Sequence, residues 1–251
     1  QNAKPLLFID FKLGNICNLK CRICGSWSSS TFATEEVKFE GKDSFHYEML
    51  QKGAWPRKNA AFWETVDGMM DQIRYLEFTG GEPFLNPNMI EIARRCLEQN
   101  YKVLILTNAM LPMMRKSVQK GLLELLKQYN KKLTIRISLD HFKAIFHDTE
   151  RGKGSYDITI SGMKWLRDHG FSMAIAGRTV WGDSDKNSRL GYHELFKKNN
   201  FKIDANDPNE TILFPEMDEK IDVPEITTEC WGILNKSPEE VMCASSRMVV
   251  K

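Results

Sequence analysis

The sequence predicts an α/β fold: a partial (β/α)6 barrel of the TIM-like type, followed by an irregular C-terminal extension. Short apolar runs of strand length alternate with longer helical patterns over residues 6–204, which is typical of parallel βαβ units. Beyond residue 206 this alternation stops, and prolines at positions 208, 215 and 224 interrupt the tail. We therefore expect a core barrel over residues 1–206 and the start of an extension over residues 207–251.

The predicted strands are runs rich in apolar residues, and most of them end at glycine, asparagine or other polar residues. In chain order they cover residues 6–13, 74–79, 102–107, 132–139, 171–180 and 201–204. The helices between them place apolar residues at intervals of three or four. They cover residues 60–72, 87–99, 112–129, 156–169 and 189–198. Residues 25–58 have no clear period, and we assign no element there.

Length and composition are consistent with one large domain, or a domain with a short appendage. The 251 residues are 42% hydrophobic and carry a formal net charge of +2, which gives little support to nucleic-acid binding. No apolar run approaches the length of a membrane span and no signal peptide opens the chain, so we expect a cytoplasmic protein without a membrane partner. The chain begins at Gln1 and stops inside an apolar run at Lys251, and we expect that one or both ends are trimmed.

Three of the six cysteines lie within eight residues, directly after the first predicted strand. Cys17, Cys21 and Cys24 have C-x3-C-x2-C spacing. Thiolates are the usual ligands of iron–sulfur clusters, and three of them can hold three corners of a 4Fe–4S cluster. The fourth iron then stays open to a small molecule. The alternatives are a zinc loop and ordinary buried thiols, but structural zinc takes four ligands and the nearest histidine is His46.

The cysteine segment resembles the cluster loop of the radical S-adenosylmethionine (SAM) superfamily, and most of all members with a SPASM or twitch extension. Residues 79–83, Thr-Gly-Gly-Glu-Pro, resemble the G-G-E-P motif of the same family. The resemblance implies that Gly80, Gly81 and Glu82 meet the amino group of the methionine part of SAM. It also implies that Ile23 packs near the adenine. Independently of any family, glycine lets a backbone come close to a ligand.

Three further segments resemble motifs of this family: residues 107–109 (T-N-G), 138–141 (S-L-D-G) and 147–156 (H-D-x-x-R-G-x-G-S-F). Alanine and histidine replace the glycines of the first two motifs. The resemblance implies that Asn108 belongs to the cofactor site, that Ser138 contacts the ribose or carboxylate of SAM, and that Arg151 pairs with the carboxylate. The alternatives are a solvated surface arginine and a plain strand-end serine.

The alternation of strand residues predicts a polar barrel interior, because neighbouring side chains point to opposite faces. The polar face carries Asp10, Lys12, Glu77, Thr79, Arg136 and Ser138. A closed barrel fills its interior with branched apolar residues, so this pattern favours a wider barrel with a cavity for substrate. We expect Lys12, Glu77 and Arg136 to be the charged catalytic candidates that meet the substrate. The alternative is a buried ion-pair network, for example between Lys12 and Glu77, that only supports the site.

The tail contains Cys230 and Cys243, and its sequence resembles the start of a twitch or SPASM extension. In such extensions cysteines bind an auxiliary iron–sulfur cluster. Two cysteines are too few for a cluster, so either further ligands lie beyond Lys251 or the match is accidental. Cys96 lies in a helical pattern and is expected to be an ordinary packing residue.

The resemblance implies an enzyme in which the open iron binds SAM and an electron from the cluster breaks a carbon–sulfur bond. The resulting 5′-deoxyadenosyl radical then abstracts hydrogen from a peptide or a polar small molecule. The implied partners are SAM, that substrate, and a reducing donor such as flavodoxin or ferredoxin. Two other classes remain open: an RNA-modifying radical enzyme and a non-catalytic iron–sulfur or zinc module. The sequence does not name the substrate.

Overall fold

A computed structural model describes residues 8–53, 61, 64, 68, 73–129, 132–179, 181–215, 227–233, 235 and 237. Its centre is a six-stranded parallel sheet in which the strands follow one another in chain order. The strands are β1 Phe8–Lys12, β2 Tyr75–Thr79, β3 Lys102–Thr107, β4 Leu133–Ser138, β5 Ser172–Arg178 and β6 Thr211–Phe214. The sheet curls into a half-barrel, and the expected α/β partial barrel is confirmed.

Helices connect the strands, with two additional helices directly after the cysteine loop. They are α1 Ser30–Glu40, α2 Phe45–Lys52, α3 Met89–Glu98, α4 Lys116–Tyr129, α5 Ala144–Arg151, α6 Ser155–His169, α7 Asp185–Asn199 and α8 Cys230–Ile233. A short 3-10 helix covers Pro83–Leu85. Most of the helix predicted over residues 60–72 lies outside the described residues. None of the described helices is long and apolar enough to cross a membrane.

Parts of the element prediction are wrong or incomplete. Residues 201–204 do not form a strand: Phe201 and Ile203 alternate with polar residues, but they pack on the core from a segment outside the sheet. The sixth strand is instead Thr211–Phe214, which pairs with β5 and lies beyond the predicted boundary at residue 206. The structure also contains α1 and α2, where the sequence showed no period, and α5, where no helix was predicted.

The helices α1 and α2 escaped prediction because neither buries a continuous apolar stripe. Only Ala33 is buried in α1. Each helix is instead started by a serine N-cap: the Ser29 side chain accepts from the N–H of Phe32, and the Ser44 side chain accepts from the N–H of Tyr47. Such caps satisfy N–H groups that have no partner within the helix. The two serines are the sequence signal for these helices.

The core lies between the outer face of the sheet and the helices. Alternate residues of the central strands are buried there: Leu76, Phe78, Val103, Ile105, Leu133, Ile135, Ile137 and Ile175. The other residues of these strands line the concave face, where register places Leu106, Arg136 and Ala174 in one row. The predicted separation into an apolar outer face and a partly polar inner face is therefore confirmed for β2 and β4. The carboxyl ends of the strands all meet at one rim.

Candidate functional site

The cysteine loop follows β1 and is held in shape by the start of α1. The backbone N–H of Cys17 donates to Ser30 Oγ (3.1 Å), and the hydroxyl of Thr31 donates to the carbonyl of Cys17 (2.6 Å). Buried Asn15 fastens the loop from the other side, because its Nδ2 donates to the carbonyls of Ser26 and Met49 (both 2.9 Å). These bonds fix the backbone at the start of the loop that carries the three thiols.

The three thiols influence one another electrostatically. Burial raises the pKa of Cys17 to about 11. A hydrogen bond with Cys24, together with burial, raises the pKa of Cys21, and the same bond lowers the pKa of Cys24 to about 6. The positive charge of Arg151 acts on all three and favours the thiolate form. The surroundings thus favour the thiolate form most at Cys24, and the Arg151 cation favours it at all three cysteines.

The number of thiols fits an iron–sulfur cluster with one open iron. A structural zinc site needs four ligands around one ion, and the loop supplies three thiols. Among the described residues, one compact set of three possible ligand atoms lies within 4.8 Å of one another, and it comprises Glu36, Glu40 and His46. Three thiolates can hold three corners of a 4Fe–4S cluster, as the spacing predicts.

The glycines after β2 allow this loop to pack directly on the cysteine loop. A Cβ at Gly80 would lie 2.8 Å from the carbonyl oxygen of Gly14, and a Cβ at Gly81 would lie 2.3 Å from that of Ile16. Both glycines have positive φ, 83° and 56°. The backbone N–H of Glu82 also donates to the carbonyl of Ile16 (2.8 Å). The two glycines therefore allow two loops to meet closely, and their predicted approach to SAM stays a prediction.

The side chain of Glu82 is buried below this junction and connects three loop segments. Its Oε1 accepts from the hydroxyl of Thr107 (2.7 Å) and the N–H of Phe84 (3.2 Å), and its Oε2 accepts from the N–H of Asn108 (2.9 Å). Burial raises the pKa of Glu82, and the three donors only partly offset this. A carboxylate has about four acceptor positions. One of these acceptor positions remains on Oε2, and it fits an N–H of the amino group of SAM.

The loop after β3 places Asn108 beside the cysteine loop. Asn108 Nδ2 donates to Oδ1 of Asn18, 3.0 Å away. Ala109, which stands where the resembled motif has glycine, adopts φ 56°. That left-handed conformation is unfavourable for alanine, and it is held by a bond from the Ala109 N–H to Thr107 Oγ1 (3.0 Å). The alanine thus keeps the turn that a glycine would make.

Arg151 ends α5 and reaches the cysteine loop. Its Nε and Nη2 donate to the two carboxylate oxygens of Asp140 at 2.5 and 3.1 Å, and its Nη1 lies 3.6 Å from Cys21 Sγ. Burial would lower the pKa of Arg151, but Asp140 more than compensates and the pKa is raised. A solvated surface arginine is therefore excluded. The carboxylate that Arg151 contacts within the chain is Asp140, so its pairing with SAM stays a prediction.

His141 replaces the glycine of the resembled S-L-D-G motif and is fully enclosed. Its ring stacks on Phe142 and meets the edges of Phe146 and Trp181. Nδ1 accepts from the N–H of Lys143 (2.9 Å), and burial lowers the pKa of the ring. The histidine thus closes the loop after β4 by packing, where a glycine would leave space.

Two predicted cofactor residues have simpler surroundings. Ser138 is half-buried at the end of β4 and pairs in register with Ala176 of β5. Ile23 lies on the cysteine loop with 50% of its surface exposed. An apolar side chain that exposed has contact area to offer an adenine ring, and its predicted role is unchanged.

The concave face brings together two of the three charged catalytic candidates. Arg136 Nη1 lies 3.4 Å from Glu77 Oε1, and its Nη2 donates to the carbonyl of Asn209 (3.2 Å). Burial raises the pKa of Glu77, which Arg136 partly offsets. Lys12 stays exposed at the end of β1, beside Gly80. The suggested ion-pair network therefore exists, but the cation in it is Arg136 and not Lys12.

Two of the remaining cysteines lie on described helices. Cys96 is buried in α3 within the hydrophobic core, as expected of a packing residue. Cys230 begins α8 and is half-buried. Cys243 lies outside the described residues, and the predicted pairing of these two as cluster ligands stays a prediction.

Comparison with known proteins identifies the family. A model described as the radical SAM superfamily matches residues 11–182, a range that contains the cysteine loop, Glu82 and Arg151. The chain belongs to the radical SAM superfamily. Members of this superfamily use a 4Fe–4S cluster and SAM, and the thiols and the buried carboxylate described above fit both.

Two curated relatives share this superfamily core. The chain is 35% identical over 188 residues to the antilisterial bacteriocin subtilosin biosynthesis protein AlbA of Bacillus subtilis (strain 168), covering 72% of the chain and 36% of AlbA. It is 26% identical over 175 residues to the AdoMet-dependent heme synthase of Methanosarcina barkeri (strain Fusaro / DSM 804), covering 69% and 42%. The chain therefore spans less than half the length of either relative.

Solved structures share the fold. Streptococcus suis SuiB superposes with a TM-score of 0.58 at 18% identity, over 93% of this chain and 45% of SuiB. The complex of SuiB with its precursor peptide SuiA gives 0.55 at 20% identity, over 79% and 38%. Native anSMEcpe with bound AdoMet gives 0.54 at 16% identity, over 89% and 56%.

Sequence reasoning gave no role to four residues that shape the site, although Asp140 lies in the segment that resembles S-L-D-G. They are Asn15, Asn18, Asp140 and Glu150, and each bonds to or within the loops that surround the thiols. Asn15 and Asn18 flank Cys17, and polar residues so close to a metal loop were the available signal. Glu150 gave no signal, since its partner Arg22 is 128 residues away.

Proposed function

We propose that this chain is the catalytic core of a radical SAM enzyme that acts on a peptide. The observation that carries the proposal is the convergence of three features at one rim of the half-barrel: the cysteine loop, buried Glu82, and Arg151 directed at Cys21. Parallel α/β barrels place their chemistry at this rim. A non-catalytic structural module would use Glu82 only to connect the loops, and the remaining acceptor position of its carboxylate would have no partner.

Each residue has a defined task in this proposal. Cys17, Cys21 and Cys24 would hold three irons of a 4Fe–4S cluster and would leave the fourth open to SAM. When bound, the cluster would supply the electron for reductive cleavage of SAM, and so the radical that takes hydrogen from the substrate. Oε2 of Glu82 would accept from an N–H of the SAM amino group, and the exposed side chain of Ile23 would cover the adenine.

Further predicted residues complete the cofactor site. Asn108 keeps the loop after β3 against the cysteine loop, through its bond to Asn18. Ser138 and Arg151 bind the ribose or carboxylate end of SAM. Arg151 has five N–H donors, so it can bind such a carboxylate while it keeps Asp140.

The substrate proposal rests on the concave face and on the relatives. Lys12 lies exposed next to Gly80, and the Glu77–Arg136 pair lies deeper in the same face. An apolar substrate would desolvate these groups without pairing them, so the substrate carries polar groups. A peptide is favoured because AlbA is named for the biosynthesis of a bacteriocin and SuiB is seen bound to a precursor peptide. A polar small molecule is the second candidate, supported by the heme synthase relative.

We further propose that a twitch- or SPASM-like extension begins within residues 207–251. Its residues follow β6, which is still part of the core sheet. Cys230 and Cys243 would then help to bind an auxiliary iron–sulfur cluster, with other ligands beyond Lys251. Iron counting tests this: the full-length protein should hold clearly more than about four irons per chain, and Cys230→Ala should lower the count. An iron count near four per chain that Cys230→Ala leaves unchanged would contradict the proposal of an auxiliary cluster.

The proposed electron source is a flavodoxin or ferredoxin, and the proposed location is the cytoplasm, where such donors occur. Reduction of the reconstituted protein by purified flavodoxin tests the first point. The expected result is SAM cleavage with flavodoxin in place of dithionite.

The main experiment is anaerobic reconstitution with iron and sulfide, followed by SAM and dithionite. We expect 5′-deoxyadenosine in the chromatogram, and more of it when peptides encoded by short reading frames beside the gene are added. Peptide deuterated at the reacting carbon should transfer deuterium into 5′-deoxyadenosine. Absence of 5′-deoxyadenosine from a protein that holds its cluster would contradict the enzymatic assignment. Cleavage without deuterium transfer from any peptide would favour the small-molecule substrate.

A further inference from the structure

Two consecutive residues at the end of α5 hold two consecutive residues of the cysteine loop. The backbone N–H of Arg22 donates to the carbonyl of Glu150 (2.9 Å), and Arg22 Nε donates to Glu150 Oε1 (2.8 Å). The neighbouring Arg151 directs Nη1 at Cys21 Sγ, 3.6 Å away. The end of α5 therefore fixes both the backbone of the loop and the surroundings of its central cysteine.

The guanidinium of Arg151 has little freedom to turn away from this sulfur. It forms a bidentate pair with Asp140, and the two side chains expose only 11% and 5% of their surface. Asp140 is itself fixed, because its N–H donates to His147 Nδ1 (3.2 Å) and its carbonyl accepts from the N–H of Arg178 (2.9 Å). With Nε and Nη2 occupied by Asp140, Nη1 is the nitrogen that faces Cys21.

An N–H donor at a cysteine sulfur changes the energy of an iron–sulfur cluster. Reduction adds negative charge that is shared with the ligand sulfurs, so a hydrogen bond and a cation stabilise the reduced state more than the oxidised state. Burial strengthens such an interaction because the local dielectric constant is low. Partners of metal ligands tune a site in this way without binding the metal themselves.

We propose that Asp140 and Arg151 set the reduction potential of the cluster held by Cys17, Cys21 and Cys24. Arg151 donates to the Cys21 sulfur and raises the potential. Asp140 is a positioning residue that keeps Nη1 on this sulfur. The inference rests on the proposed function only in requiring that the cluster binds, and it is independent of any contact between Arg151 and SAM.

The test is a potentiometric titration of the reconstituted protein without SAM, followed by electron paramagnetic resonance of the reduced cluster. Leaving SAM out separates the contact with Cys21 from carboxylate binding. Arg151→Met should lower the equilibrium constant for reduction about tenfold, which is 59 mV for a one-electron couple. Arg151→Lys keeps the charge but not the fork that reaches Asp140 and Cys21 together, and should fall between Met and wild type.

Lys20→Gln is the matched control, because it also removes a positive charge from the cysteine loop. The Lys20 side chain is 43% exposed and pairs with exposed Glu35, and we expect its loss to change the reduction equilibrium less than twofold. Asp140→Glu keeps both charges of the pair but moves the position in which Arg151 is held, and should lower the potential because Nη1 is displaced from Cys21. It reports on the inference even where Arg151→Met fails to retain the cluster.

Two results would overturn the inference. One is an unchanged potential in cluster-containing Arg151→Lys and Asp140→Glu proteins. The other is a shift in Lys20→Gln as large as that in the Arg151 variants, since net charge alone would then explain the effect. Both results leave the proposed function intact. A wild-type protein that binds no cluster would instead contradict the proposed function.

Discussion

The Oε2 atom of buried Glu82 accepts a hydrogen bond from the backbone N–H of Asn108, 2.9 Å away. Because Thr107 also donates to the carboxylate, the acid that follows the two glycines connects the loop after β2 to the loop after β3. The same residue thus supports the fold of the rim, and the remaining acceptor position of its carboxylate is the one proposed for SAM.

Glu82→Ala should lower both stability and SAM affinity. It leaves the Asn108 N–H and the Thr107 hydroxyl buried without their acceptor, which costs about 2 to 4 kcal/mol. Urea unfolding and calorimetric titration with SAM measure the two effects. Glu91→Gln, at a side chain 65% exposed on α3, is the control and should change stability by less than about 0.5 kcal/mol. A Glu82→Ala protein of normal stability and normal SAM affinity would contradict both roles.

Gly162→Ala should destabilise the protein because α6 touches the loop after β3 at this glycine. A Cβ at residue 162 would lie 1.9 Å from the carbonyl oxygen of Ala109. Backbone must move to relieve the overlap, at a cost of about 1 to 3 kcal/mol. Because Asn108 moves with Ala109, SAM affinity should fall as well.

Gly121→Ala is the matched control for this substitution. It also adds a methyl group to a buried helical glycine, but the nearest atoms belong to the side chain of Ile90, which can shift. Alanine favours a helix by about 1 kcal/mol over glycine, so Gly121→Ala should be close to neutral in urea unfolding. Equal losses of unfolding free energy in Gly162→Ala and Gly121→Ala would show that the overlap with Ala109 is not the cause of the destabilisation.

Asp148 should stabilise the protein in a pH-dependent way through the start of α6. Its carboxylate accepts from the N–H groups of Gly154 (2.7 Å) and Tyr156 (2.9 Å) and from the hydroxyl of Ser155 (3.1 Å). Desolvation would raise the pKa of Asp148, but these bonds outweigh it and hold the pKa below the usual 3.8. A lowered pKa means that the stabilisation is present above the unfolded-state pKa and is lost as the pH falls through the folded-state pKa.

Asp148→Asn should therefore lower the free energy of unfolding by about 1 kcal/mol at neutral pH. The difference in unfolding free energy between this variant and wild type should shrink as the pH falls below 3.8. Urea unfolding over a pH series measures this difference. Asp157→Asn, at an exposed position of the same helix, should show a smaller difference at neutral pH. A difference between wild type and Asp148→Asn that stayed constant down to about pH 3 would contradict the assignment of the shift to this carboxylate.

Lys12 and Arg136 should respond differently to substitution, although the sequence puts them on the same face. Arg136→Met leaves half-buried Glu77 without its cation and should cost about 1 to 3 kcal/mol in urea unfolding. Lys12→Met should leave stability within about 0.5 kcal/mol of wild type and slow turnover of the substrate. If Arg136→Met slowed turnover without loss of stability, the pair would serve the substrate and not the fold.

The sequence predicted what depends on local pattern. Strand alternation located the apolar outer face, and the order of strand ends brought the cysteine loop and residues 80–82 to the same rim. The sequence pattern did not predict the correct sixth strand, because Thr211–Phe214 is short and is defined by pairing with β5. The segment 201–204 had a stronger alternation, but in the described sheet the edge of β5 is taken by Thr211–Phe214 instead.

The site was predictable in its residues but not in its contacts. The motif resemblance pointed to Arg151, yet its bidentate partner Asp140 and its approach to Cys21 depend on where the end of α5 lies relative to the loop after β1. Likewise, Lys12 was the suggested partner of Glu77, and the actual partner is Arg136. Long side chains on one face can reach several neighbours, so alternation alone does not select the pair.

Iron content, measured together with SAM cleavage, tests the central claim most directly. Cys17→Ser, Cys21→Ser and Cys24→Ser should each lose the cluster and all formation of 5′-deoxyadenosine. Cys96→Ala, in the core of α3, should keep wild-type iron and cleavage. A variant with all three loop cysteines replaced that still bound wild-type iron and cleaved SAM at the wild-type rate would contradict the assignment of the site.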